Sequence, residues 1–501
     1  MRLRCAVAVC AATLCAVTTL NAAVDARLPE AVKSRNREAV QRLLKARVDV
    51  NATEVDGTTA LHWAVQAGDV DTVRVLLRAG AKANAANRYG VTPLSLAATN
   101  GDAATIQLLL NAGADANQGL PEGETPLMTA ARTGKPAAVE TLLDYGADAN
   151  AVEQWQGETA LMWAAAQNHG RVIELLVSRG ADVNARSKAL QFPKFNFNGS
   201  TMVSTPMPRG SMTALMLAAR QGAVDGVGAL IDAGADLNLA DPDGTTALVM
   251  SIVNVHFDVA TLLIEKGANP NVADGSGMAA LYAAVDMHTT GPLINRPSRK
   301  PTGEVDALAL VRMLLDHGAN PNARLKTPTL QRYHNGGDPL LTDGATPLMR
   351  AAKSTDTAAV RLLFAKGANP GLTTKNMSTA LMFAAGLGGG RGRTDDDAME
   401  VIGLCLSAGA DVNAFNTNGQ TALHVATERS DKIVKFLAEH GAELDLKDKD
   451  GRTPLDIALG VQASAFTGRR GAAPAERRET TVSLLRQLAG ESGPKDGSQG
   501  R

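Results

Sequence analysis

One phrase recurs down this chain, and its spacing constrains the fold more than any other feature. It reads Thr59-Ala-Leu-His-Trp-Ala, then Thr92-Pro-Leu-Ser-Leu-Ala-Ala, Thr125-Pro-Leu-Met-Thr-Ala-Ala and Thr159-Ala-Leu-Met-Trp-Ala-Ala. It returns at Thr213, Thr246, Ala279, Thr346, Thr379, Thr421 and Thr453. The steps between anchors are 33, 33, 34, 54, 33, 33, 67, 33, 42 and 32 residues. A period near 33 is the mark of a repeat architecture, and the three long steps are one unit plus inserted sequence.

Each part of the unit has a physical reason. Thr suits a helix N-cap, and Pro93, Pro126, Pro347 and Pro454 suit the first helical position, where no amide hydrogen bond is lost. The Ala pair keeps this inner helix thin enough for neighbours to approach. Gly68, Gly101, Gly134, Gly170 and Gly222 are expected to mark the turn to a second helix. That helix carries Leu pairs such as Leu76-Leu77, Leu142-Leu143 and Leu362-Leu363, and stops at a Gly suited to the left-handed position, as at Gly80 or Gly441. Next comes Ala-Asp/Asn-x-Asn, as in Ala147 to Asn150, then a turn such as Asp241-Pro-Asp-Gly244 that builds a β-turn finger.

These phrases, Thr-Pro-Leu-His-x-Ala-Ala and Gly-Ala-Asp-x-Asn, resemble the ankyrin-repeat family from about residue 28 to 490. The resemblance implies an all-α repeat solenoid of roughly eleven units, each a finger plus an antiparallel helix pair, with a concave groove lined by fingers and inner helices. Met stands in place of the family His at 128, 162, 216, 349 and 382, while His62 and His424 keep it. Met377 stands where the finger Gly is expected. Leu28 to Asn51 carries Leu43-Leu44 without the Thr-Pro-Leu phrase and reads as an N-terminal half-unit cap. A single unit cannot bury its own apolar face, so stacking supplies the core. Such a surface has no closed pocket and favours binding over chemistry.

The first residues read as an export signal. Arg2 and Arg4 precede an uncharged, mostly apolar stretch from Cys5 to Leu20, and small residues follow through Ala26. That run falls short of the roughly 20 apolar residues that span a bilayer. Cleavage is expected after Ala22, or as late as Ala26, which places the mature chain in the periplasm or outside the cell. Cys405 is then the single remaining thiol, so no internal disulfide forms. A formal net charge of -1 gives no bulk basic field for nucleic acid, and no later stretch is apolar enough for an integral membrane segment.

Five inserts decorate the array, at about 186–209, 288–304, 324–342, 386–394 and 461–475, and residues 491–501 read as a disordered tail. The first and third lengthen fingers; the others part the two helices of a unit. Phe192, Phe195 and Phe197 cluster in the first insert and either fold back or meet a partner. Trp63, Trp163, Phe383 and Arg350 share one inner-helix register near the groove, and Arg220 lies close by; all are candidate partner contacts.

Catalytic signals are weak. No His-Glu-x-x-His or Cys-x-x-Cys spacing exists, so neither a metal nor another cofactor is expected, and no catalytic residue is assigned. His317 and His440 suit the negative ends of helices, and Cys405 sits at a core register. Asp448-x-Asp450-Gly451 is a finger turn, because Leu446 occupies the first calcium-ligand position of that alignment. Gly386 to Gly392 precedes Asp395, Asp396 and Asp397, whose charge would repel phosphate. The expectation is a monomeric, non-catalytic scaffold binding one or more proteins. Its rivals are an exported effector acting on a host protein and an enzyme or accessory subunit with a site assembled from the inserts, which a convergent His, Asp and Arg cluster would favour.

Overall fold

The computed structural model describes residues 26–190, 209–289, 303–327, 340–387, 394–461 and 478–490. The chain divides into two compact units, Met1–Asp148 and Ala149–Arg501. The first holds the helix pairs α1 (Arg27–Lys33) and α2 (Arg37–Lys45), α3 (Ala60–Gln66) and α4 (Val70–Arg78). Next come α5 (Pro93–Asn100) and α6 (Ala103–Asn111), then α7 (Pro126–Thr133) and α8 (Pro136–Asp144).

The second unit begins with α9 (Ala160–Ala166), α10 (Gly170–Ser178), α11 (Ala214–Gln221) and α12 (Val224–Asp232). It continues through α13 (Ala247–Val253), α14 (Phe257–Glu265), α15 (Ala280–Thr289) and α16 (Ala307–Asp316). Then follow α17 (Pro347–Lys353), α18 (Thr357–Ala365), α19 (Ala380–Ala385) and α20 (Asp395–Ser407). It ends with α21 (Ala422–Thr427), α22 (Asp431–Glu439), α23 (Pro454–Ala458) and α24 (Glu479–Leu488). Within each unit the first helices of successive pairs pack together, as α3 does with α1 and α5, and the second helices do likewise. No described helix is long and apolar enough to cross a membrane.

The anchor Thr does what its chemistry suggests. Thr59, Thr92, Thr125, Thr159 and the later anchor threonines take the amide of the third helical residue on their hydroxyl oxygen. The Ala pairs, such as Ala97 with Ala98, are fully buried where inner helices meet, and one Leu of each pair, such as Leu76 or Leu142, is fully buried. Cys405 is also buried at that register, which pushes its thiol up to about 12 and leaves it a core side chain.

Two sequence expectations are corrected. The N-terminal cap is a complete helix pair rather than half a unit, although α1 has no side-chain N-cap bond. Gly170 does not form the left-handed turn; Asn168 does, at φ 63°, and Gly170 begins α10, where a Cβ would lie 3.3 Å from the Asp225 carbonyl oxygen. Asn tolerates that conformation better than most residues, so Gly is dispensable there. Val255 and Thr355 occupy the same turn at φ 66° and 52°, a conformation that β-branched residues adopt only under strain.

The final Asn of the Gly-Ala-Asp-x-Asn phrase staples each repeat to the next. Asn84 donates from Nδ2 to the Gly113 carbonyl at 2.7 Å and accepts the Asp115 amide on Oδ1 at 2.7 Å. Asn322 repeats this with Gly367 at 2.9 Å and Asn369 at 2.8 Å. Gly371 interrupts the series, since it has no side chain. We expect Asn322→Ala to cost about 1–2 kcal/mol, as two hydrogen bonds are lost to groups that water partly re-satisfies. Gly371→Asn should stabilise by up to about 1 kcal/mol, because φ there is not positive and a Cβ meets only the Asn369 carboxamide, at 3.2 Å. Urea unfolding of the two variants checks both signs, and a shared sign would show that the staple is not what holds the repeats in register.

Fingers stack by backbone hydrogen bonds from one turn to the next, such as Lys326 N to Ser276 O at 2.7 Å and Lys375 N to Asp343 O at 2.7 Å. At the described ends of the first insert, β1 (Ala189–Leu190) pairs antiparallel with β2 (Arg209–Gly210). This pair is a small exception to an otherwise helical fold. Phe192, Phe195 and Phe197 lie outside the described residues.

Candidate protein-binding surface

In the first unit, Trp63 on α3 is partly buried, with Lys33 Nζ 4.5 Å from its ring centroid. Its indole N–H is buried and has no hydrogen-bond partner. In the second unit, Trp163 on α9 donates from Nε1 to Glu158 Oε2 at 3.0 Å. Burial holds the Glu158 carboxyl above the usual carboxylate range; the bond from Trp163 and the charge of exposed Arg220 oppose that rise. Trp163, Glu158 and Arg220 thus form one polar-aromatic patch, of the kind that anchors protein partners.

Phe383 and Arg350 depart from the expected role. Phe383 on α19 has no exposed surface and belongs to the core. Arg350 on α17 has a side chain only 14% exposed, with Nε 2.5 Å from Asp286 Oδ1 and Nη1 bonded to Ser354 Oγ at 2.6 Å. Position along the inner helix does not settle exposure, because the adjacent repeat decides what covers each side chain.

Beside that pair, His288 Nε2 lies 3.2 Å from Asp356 Oδ2. The bond to Asp356 raises the His288 pKa, and the Asp356 carboxyl lies below the usual range although burial opposes it. Asp286 and His288 of α15 thus each pair with the next repeat, Asp286 with Arg350 of α17 and His288 with Asp356 at the cap of α18; His288 opens the 288–304 insert, and the other three lie outside the inserts. Each described charge faces an opposite one, an arrangement that joins repeats. No group of three or more His, Cys, Asp or Glu that could hold a metal ion occurs among the described residues. Asp448 Oδ1 accepts the amides of Asp450 and Arg452, both at 2.9 Å, and Oδ2 meets Arg452 Nη2 at 2.8 Å, so its carboxylate completes a finger turn.

The repeat-phrase histidines are also structural. His62 Nδ1 faces the Thr59 amide at 3.2 Å, so Nδ1 accepts; Nε2–H donates to the Val91 carbonyl of the next finger at 3.0 Å. His424 repeats this with Thr421 and Arg452. Burial lowers both pKa values below the ordinary 6.5. Below pH 6.5 the unfolded chain therefore takes up protons that the folded imidazoles refuse, and stability falls as pH drops toward the folded values. We expect wild type to lose more urea resistance between pH 7.5 and 5 than His62→Met/His424→Met, which carries the residue found in other repeats. Equal losses would show that the two imidazoles do not drive the acid sensitivity.

Sequence reading missed the finger tips. Trp155 is 78% exposed, Tyr89 63% and Phe415 58%, each within four residues before a finger Gly. Aromatics inside an otherwise hydrophilic turn phrase were the available signal.

Models of ankyrin repeats match residues 28–119, 100–187, 198–293, 393–464 and 343–375. The chain belongs to the ankyrin-repeat family. Over 116 residues it is 34% identical to human B-cell lymphoma 3 protein, covering 23% of this chain and 24% of that protein. Over 94 residues it is 37% identical to the Drosophila melanogaster neurogenic locus Notch protein, covering 17% of this chain and 3% of that one. The zebrafish ankyrin repeat and SOCS box protein 11 is 32% identical over 113 residues, 22% of this chain and 35% of that protein. The chain thus spans about a third or less of these relatives. The human ASB11 ankyrin repeat domain aligns at 26% identity over 48% of this chain and 98% of that domain, with a TM-score of 0.39.

Proposed function

We propose that this chain is a non-catalytic protein-interaction scaffold that works outside the cytoplasm of a bacterium, binding partner proteins through groove, fingers and inserts. Ankyrin repeats support protein–protein interaction in general, and the exposed finger-tip aromatics Tyr89, Trp155 and Phe415 carry the reading for this chain. Rings this exposed gain little from burial within the chain, whereas aromatic anchors at interfaces commonly contribute about 2 kcal/mol each. Export is supported by Arg2, Arg4 and the apolar run to Leu20.

Two measurements test the proposal. Intact mass of protein from its native host should show loss of residues up to 22–26; retention of Met1 through Leu20 would defeat export. Affinity capture from a periplasmic extract should retain a partner that Tyr89→Ser/Trp155→Ser/Phe415→Ser holds much more weakly at an unchanged melting temperature. Equal capture by wild type and variant would remove the fingers from the interface.

A further inference from the structure

Most finger turns close on Gly with positive φ; Ser211 at φ 50°, in the finger that carries the first insert, and Met377 at φ 58° are side-chain-bearing residues at that position. The Met377 amide still makes the turn bond, to Thr374 O at 2.8 Å, so the turn is the ordinary one in a disfavoured conformation. Burial does not compensate, since Met377 remains 44% exposed. A strained residue whose side chain contributes little to the core is a functional signal.

The surroundings say what kind. Met377 and Phe415 lie on adjacent fingers, joined by Thr417 N to Asn376 O at 2.9 Å; the next finger follows through Lys449 N to Asn418 O at 2.9 Å. Together these three fingers border a cavity of about 480 Å³, with Met377, Phe415 and Leu446 supplying apolar surface and Lys447 and Lys449 supplying charge. Asp448 also lines it, but that carboxylate is buried and neutralised by Arg452 at 2.8 Å. Lys375, two residues before Met377, is 75% exposed and only 4.0 Å from Asp343. Lys447 and Lys449 therefore set positive charge beside an apolar floor.

We propose that this groove binds a short acidic segment of a partner protein that inserts one large apolar side chain between Met377 and Phe415, its carboxylates meeting Lys447, Lys449 and Lys375. The flexible thioether adapts to the inserted side chain, which Gly could not do. Exposed lysines beside an apolar floor select negative charge and speed encounter more than they add affinity. This assignment rests on the chain being a protein-binding scaffold.

Random twelve-residue peptides displayed on phage and selected on the intact protein provide the probe. Selected peptides should carry net negative charge and a large apolar residue. Their affinity should fall about tenfold or more for Phe415→Ser and for Lys447→Glu/Lys449→Glu, and should weaken with salt. Met377→Gly should bind more weakly while melting at a higher temperature, a combination that a purely structural residue would not produce. Peptides that bind wild type and the charge-reversed variant equally would overturn this groove and leave protein binding elsewhere standing. Selection of no peptide at all would also overturn it.

Discussion

Asp286→Ala is expected to destabilise the second unit by about 3 kcal/mol, the scale for removing one partner of a buried ion pair. The side chains of Asp286 and Arg350 are 13% and 14% exposed, with Oδ1 and Nε at 2.5 Å. Removing the carboxylate leaves a guanidinium, held also by Ser354, in a place where water cannot replace the lost charge. The pair itself is a weaker source of stability than this loss suggests, because both charges were desolvated to form it. Most inner helices carry an apolar side chain at the Arg350 register, such as Leu217, Met250 or Phe383. Asp286→Met/Arg350→Met should therefore recover most of the loss. Urea unfolding of the single and double variants decides: a single-variant cost below about 1 kcal/mol would mean that solvent reaches the site.

Gly277→Ala is expected to cost about 2–4 kcal/mol, combining left-handed strain of about 1 kcal/mol with steric displacement of the next finger. Gly277 has φ 85°, and a Cβ there would stand 2.8 Å from the Arg324 carbonyl oxygen and 2.9 Å from the Lys326 amide nitrogen. Both neighbours are backbone, so relief requires the fingers to part and breaks the bond from Lys326 N to Ser276 O. Gly451 is the control, with φ 77° and nothing within 4 Å of its would-be Cβ, and Gly451→Ala should cost only about 1 kcal/mol. Amide hydrogen exchange should rise locally at Lys326 in the first variant, since stability in a repeat array is largely nearest-neighbour. Equal costs for the two variants would refute close finger stacking.

Much of the local structure was legible from single residues. An anchor Thr caps because its hydroxyl reaches the third helical amide, whatever lies further along the chain. A Gly after the Leu pair ends the helix because only the local backbone must turn left-handed. The 33-residue period follows from the same economy: each unit repeats one solution to burying one apolar face. The candidate site was legible only in part. Trp163 and Arg220 do share a patch, through Glu158, a residue that no sequence signal had singled out.

What the tertiary structure alone decided lies between repeats. Phe383 and Trp163 share one register, yet the first is fully buried and the second is not. Arg350 meets Asp286, 64 residues away, and becomes part of the core's polar network instead of the surface. Met377 keeps a Gly conformation because the stacked fingers hold the turn. These outcomes depend on which side chain the next repeat presents, and the local pattern repeats too regularly to encode that. Sequence by itself therefore determined the unit, its caps and its turns, through interactions spanning a few residues. Exposure, charge pairing and the strained finger were settled by stacking, where side chains about 30 to 60 residues apart compete for the same space.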